Sequence, residues 1–88
     1  MNIKVLGPGC ARCHQLEKTA IEVVKELGID AKVEEIKDMS KIIAYNVLMT
    51  PGLVINEQVV SSGKVPTKAE VTQMIINALA KEDQQKSS

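Results

Sequence analysis

Two cysteines stand three residues apart in the stretch GPGCARCH, residues 7–14. Three kinds of chemistry use that spacing. Cys10 and Cys13 can form a redox dithiol that closes to a disulfide. They can, with the histidine that follows, match the C-x-x-C-H pattern of covalent haem attachment. They can also supply half of a metal site. Arg12 between them and His14 after them add positive or partly positive charge nearby.

The redox reading has a physical basis. If the pair opens a helix, positions i and i+3 share one face, with α-carbons roughly 5 Å apart. That lies within the range a disulfide requires. Cys10 would then sit among the free backbone N–H groups and the positive end of the helix dipole, which favour a thiolate. Cys10 is therefore expected to attack and Cys13 to resolve the resulting mixed disulfide. Gly7 and Gly9 allow a sharp turn ahead of the helix and leave space beside the sulfurs. Haem fits poorly: its second axial ligand would have to be Met39, Met49 or Met74, because His14 is the only histidine. A structural zinc normally takes four ligands, and the soft donors here are two cysteines and one histidine. Copper(I) needs only two thiolates, so a soft-metal binding or transfer module is the alternative function.

The surrounding elements decide how such a pair is held. NIKVL, residues 2–6, is a β-prone run that ends at Gly7-Pro8-Gly9. Leu16, Ala20, Val23, Val24 and Leu27 recur at helical spacing, which predicts a helix over 11–27 closed by Gly28. AKVEEI, 31–36, predicts a second strand, completing a βαβ unit. Asp38 or Ser40 can cap a helix over 39–46, with Met39, Ile42 and Ile43 as its apolar side. TPGLVI opens a third strand near residue 52, and a turn at Asn56-Glu57 returns the chain as QVVSS, antiparallel to it. Thr67 and Glu70 form a capping box for a last helix, whose stripe is Val71, Met74, Ile75, Ala78 and Leu79. The order β-α-β-α-β-β-α differs from the β-α-β-β-α-β of small copper chaperones, which end in a strand. One domain is expected over residues 1–80, followed by a polar, frayed tail over 81–88.

Composition excludes several partners. Of the 88 residues, eleven are basic and eleven acidic, so no basic face argues for nucleic acid or an anionic membrane. With no Trp, no Phe and one Tyr, stacking on bases has little to work with. The apolar runs are too short to span a bilayer. MNIKVLGPGC has none of the basic, apolar and cleavage regions of a signal peptide, so a soluble, cytoplasmic protein is expected. There, two cysteines serve redox or metal chemistry more often than a permanent staple.

GPGCARC after a first strand, with TPGLVI about forty residues later, resembles a thioredoxin-fold protein. The nearest likeness is to the small, glutaredoxin-sized redox-active disulfide proteins of archaea and bacteria, and it spans residues 1–80. The resemblance implies an α/β fold with a four-stranded mixed sheet in the order 2-1-3-4. The first and third helices would lie on one face and the second on the other. It implies a cis Thr50–Pro51 bond, with Pro51 against the disulfide and the Thr50 backbone free to pair with an incoming peptide. Gly63 matches a glycine that borders the substrate groove, and Arg12 is a further substrate-binding candidate. The implied activity is protein-disulfide oxidoreductase, by a monomer whose only redox group is the Cys10–Cys13 disulfide, with no bound cofactor. A flavin-dependent, thioredoxin-reductase-like donor would supply electrons, and protein disulfides would receive them. The sequence departs from the familiar motif in having Gly9 before the first cysteine and Ala11-Arg12 between the two. Lys4 is the only charge on the first strand, so no buried carboxylate there can take the proton of Cys13. Neither Arg12 nor Lys41 is held in place by anything legible as a glutathione site.

Overall fold

Alternation in NIKVL places Ile3 and Val5 on one side of a strand and Lys4 and Leu6 on the other. That strand, β1 (Asn2–Leu6), becomes one of the two inner strands of the sheet. The computed structural model describes residues 1–86. Over those residues the chain forms, besides β1, helix α1 (Ala11–Leu27), strand β2 (Lys32–Ile36), helix α2 (Met39–Ala44), strands β3 (Gly52–Ile55) and β4 (Gln58–Ser62), and helix α3 (Lys68–Lys86). The sheet order is β2-β1-β3-β4. β2 runs parallel to β1, while β3 is antiparallel to both β1 and β4. The mixed sheet and its order are those the resemblance implied.

The core divides by sheet face. Ile3, Val5, Leu53 and Ile55 meet Leu16, Ala20 and Val23 of α1 and Val71 and Ile75 of α3. The opposite face carries a smaller cluster of Leu6, Val54, Ile42 and Val47. Both are aliphatic, so cohesion comes from branched side chains fitted at close range rather than from ring stacking.

Local signals set the element ends. Gly28 takes a left-handed conformation, φ 63°, and its N–H donates to the carbonyls of Val24 and Lys25. Asp38, not Ser40, caps α2, accepting from the Ser40 N–H at 2.9 Å. Thr67 and Glu70 exchange hydrogen bonds of 3.0 and 3.2 Å ahead of α3. Thr67→Ala is expected to lower the unfolding free energy by about 1 kcal/mol, read as a lower urea midpoint. An unchanged midpoint would mean that the Glu70 half of the box carries the cap alone.

Two expectations need correction. The apolar side of α2 does not go inward as a unit. Ile42 is buried, but Met39 and Ile43 are more than half exposed. Six residues give α2 one inward position, and Val47 and Tyr45 complete the contact with the sheet. The stretch expected to be a frayed tail is helical as far as it is described, because α3 runs on to Lys86. Asn56 Nδ2 donates to Glu82 Oε1 at 2.8 Å and Lys81 Nζ to Gln58 Oε1 at 3.3 Å, so the β3–β4 hairpin supports the extra turn. Of the expected tail, residues 87–88 lie outside the described residues.

That hairpin is anchored from its other side. Asn56 and Glu57 both have positive φ, 50° and 68°, as a two-residue type I′ turn demands. Lys4 Nζ bonds Glu57 Oε1 at 2.6 Å and Tyr45 OH at 2.9 Å, and Tyr45 OH donates to Glu57 Oε2 at 2.8 Å. The lone charge of β1 thus ties the sheet to α2 and to the turn. Its pKa rises above the ordinary lysine value, chiefly through the Glu57 bond and then the Tyr45 bond.

Candidate active site

The dithiol lies where β1 hands over to α1. Cys10 is the N-cap of α1, with extended backbone (φ −75°, ψ 168°). Its Sγ accepts the Cys13 backbone N–H at 3.3 Å, taking the place an oxygen fills in an ordinary cap. The two sulfurs are 2.6 Å apart and both thiols are free. Cys10 is exposed and Cys13 is buried. The turn before them uses Gly9 at φ 94°, a conformation that favours glycine.

The environments push the thiols in opposite directions. Cys10 is held below the ordinary cysteine pKa, first by the hydrogen bond from the Cys13 thiol, then by the backbone N–H groups of Cys13 and Arg12. Burial pushes Cys13 up, and the same sulfur–sulfur hydrogen bond adds to that. The thiolate-favouring charge at Cys10 therefore comes from the helix start and its partner thiol. The side chains of Arg12 and His14, expected to contribute, are not among its causes. The Arg12 guanidinium is exposed and makes no hydrogen bond or ion pair among the described residues.

Thr50 flanks Gly7 beside the buried sulfur, and Pro51 and Gly63 are linked to it in turn. Gly7 is buried, and a Cβ placed there would lie 2.1 Å from Cys13 Sγ and 3.8 Å from Thr50 Cβ. Cys13 Sγ therefore occupies the space a side chain at residue 7 would need, with Thr50 beside it. The Thr50–Pro51 bond is cis and Pro51 is fully buried. The Pro51 carbonyl accepts the Gly63 N–H at 3.0 Å, and Gly63, at φ 79°, lies against Met49.

Sequence reading gave no weight to two exposed apolar residues that lead into the Thr50–Pro51 turn. Leu48 is 93% exposed and Met49 67% exposed, immediately before Thr50. Neither belongs to an amphipathic repeat, so periodicity had no means of marking them. The only available signal was their type: two large apolar residues in a loop entering a proline turn. A separate cleft of about 560 Å³ opens on the α2 face, lined by Lys4, Ile36, Lys41, Tyr45 and Glu57 among others. Neither cysteine lines it.

A Cys-x-x-Cys pair at the start of the first helix, one sulfur exposed and one buried, on a 2-1-3-4 mixed sheet, defines a protein-disulfide oxidoreductase. Comparison with known proteins agrees and narrows the class. The chain belongs to the thioredoxin domain family, whose sequence model matches residues 1–76. It is 43% identical over 75 residues to a thioredoxin of Methanothermobacter thermautotrophicus, covering 85% of this chain and 97% of that relative. It is 35% identical over 69 residues to a thioredoxin of Methanocaldococcus jannaschii, covering 78% and 79% respectively. No helix among the described residues is long and apolar enough to cross a membrane.

Proposed function

We propose that the protein reduces protein disulfides, with Cys10 as nucleophile and Cys13 as resolving thiol. The observation that carries this reading is the asymmetry of the pair: an exposed sulfur favoured as thiolate, backed by a buried one within reach. The Cys10 thiolate attacks one sulfur of the substrate disulfide. A Cys10–substrate bond forms, and the other substrate sulfur leaves as a thiolate and takes a proton from water. Cys13 loses its proton and attacks Cys10 Sγ, releasing the second substrate thiolate. Two electrons and two protons pass to the substrate, and Cys10 and Cys13 are left as a disulfide. A two-electron donor of the flavin-dependent reductase type then restores the dithiol, and no bound cofactor takes part.

The groove supports a protein substrate. The Thr50 backbone beside the sulfurs can pair with an extended peptide as an added strand would. Pro51 and Gly63 form its floor and side, Leu48 and Met49 supply apolar contact, and Arg12 offers a cation at the rim. The cytoplasm suits a reductant of this kind, since its thiol pool keeps cysteines reduced.

A redox titration tests the reading. The protein is equilibrated with graded thiol–disulfide buffers, quenched in acid and alkylated, and its modified cysteines are counted by mass. One reversible two-electron step with a midpoint at or below about −260 mV is expected of a reductant. A midpoint near about −180 mV or above would instead mark an oxidant or isomerase. Failure to form an internal disulfide at any poise would end the redox proposal.

A further inference from the structure

The strand β2 contains a misfit. VEEI, residues 33–36, breaks the period of two, and register opposes Glu35 to Val5. Glu35 therefore projects to the α1 side of the sheet, where Val5 is fully buried. Only 10% of its side chain is exposed. Its Oε1 is shielded from solvent and finds no hydrogen-bond partner among the described residues. Its Oε2 lies 3.6 Å from Nδ1 of His14. Glu17 stands one turn along α1 from His14, at i+3, on the same face. One ligand atom from each of His14, Glu17 and Glu35 lies within 4.8 Å of the others. Among the described residues, neither Glu17 nor Glu35 has a lysine or arginine partner.

A carboxylate nine-tenths buried with an orphaned oxygen is costly unless something of opposite charge meets it. His14 lies 3.6 Å from Oε2, beyond hydrogen-bond distance, and Oε1 stays unmet. We infer that His14, Glu17 and Glu35 form a binding site for a divalent transition-metal cation of the Zn²⁺ class. One imidazole and two carboxylates suit such an ion, and a fourth position stays open to water. The two carboxylate charges balance the charge of the ion. Bond lengths of about 2.0–2.2 Å bring donors in a tetrahedral site to roughly 3.4 Å apart, so the widest pair must close by at most about 1.4 Å. His14 and Glu17 come from α1 and Glu35 from β2, so the ion joins the first turns of the redox helix to the edge strand. The site is chemically separate from the thiols and does not depend on which way electrons flow through them.

The thiols would compete for zinc, so the test uses the full chain without them, in its disulfide form and, independently of the redox proposal, as the Cys10→Ser/Cys13→Ser double variant. Isothermal titration with ZnCl₂ is expected to give one saturable site per chain. It should also give a higher Tm with zinc than without. His14→Ala, an exposed substitution, and Glu35→Gln, which keeps the shape of the side chain, should each weaken binding by at least about tenfold and remove the Tm increase. Calcium, which prefers all-oxygen ligands, should leave the Tm unchanged. The inference is overturned if the thiol-free protein binds no zinc saturably. It is equally overturned if His14→Ala binds zinc as the parent does, or if calcium stabilises the protein as well as zinc. None of these outcomes bears on the redox titration, so the two proposals fail independently.

Discussion

Cys10→Ser is expected to reduce turnover of a protein disulfide to the uncatalysed background, a loss of at least about three orders of magnitude. Cys13→Ser is expected to fail differently. Cys10 remains exposed, with the helix start still behind it, so the first attack proceeds and the protein accumulates as a mixed disulfide. Mass analysis after acid quench separates the two cases: no adduct for Cys10→Ser, and one substrate chain per protein for Cys13→Ser. Stable adducts on both variants would show that either sulfur can reach substrate, against the burial of Cys13. The pH dependence of Cys10 alkylation supplies the electrostatic half of the test. Because its pKa is lowered, the thiolate persists to lower pH, and the rate should stay high until pH falls through that lowered value. The largest cause of the lowering is the bond from the Cys13 thiol, which serine keeps only in part. The alkylation midpoint in Cys13→Ser should therefore move up toward that of a free cysteine. A midpoint unchanged from the parent would assign the effect to the backbone N–H groups alone.

Gly7→Ala is the second substitution with a large expected effect, although it adds a single methyl. The added Cβ would fall 2.1 Å from Cys13 Sγ and 3.3 Å from Cys13 Cβ. Both residues are buried, so relief requires the Cys13 sulfur to rotate away from its seat or α1 to shift off the end of β1. Overpacking of this kind costs about 1–3 kcal/mol, which a urea denaturation of the reduced protein would register. The displaced Cys13 should also resolve mixed disulfides more slowly, so the single-turnover rate falls with stability. Gly9→Ala is the informative control. Gly9 has positive φ, so the variant is strained, but its nearest neighbour is the flexible Lys37 side chain at 3.5 Å. It should lose stability and leave the resolving step close to that of the parent. Equal kinetics in the two variants would refute a role for Gly7 in seating the sulfur.

The elements were legible because their signals are local. Asp38, Gly28 and the Thr67–Glu70 box act over four residues or fewer, and each works as its type predicts. The spacing of Leu16, Ala20 and Val23 settled which side of α1 faces the sheet. Where a run was short, that logic weakened. The three apolar residues of α2 did not share a fate, because only contact with Leu6 and Val54 decided which one is covered. The helical state of KEDQQK has a similar origin: the run is polar, and its helix draws on contacts from a hairpin more than twenty residues earlier.

The site divides along the same line. By itself the sequence determined the chemistry on offer: two thiols at disulfide spacing, at a helix start, after a glycine turn, with a Thr-Pro later in the chain. Those are covalent and short-range facts. Tertiary structure alone decided which thiol is sheltered, that Cys13 fills the space above Gly7, that Leu48 and Met49 stay exposed ahead of Thr50, and that Glu35 is turned toward His14. Burial is set by whatever distant segment covers a residue, and hydrogen bonding by whatever arrives within about 3 Å of it. Neither can be computed from spacing along the chain. The difference between the two sulfurs follows from how α1 docks on the sheet.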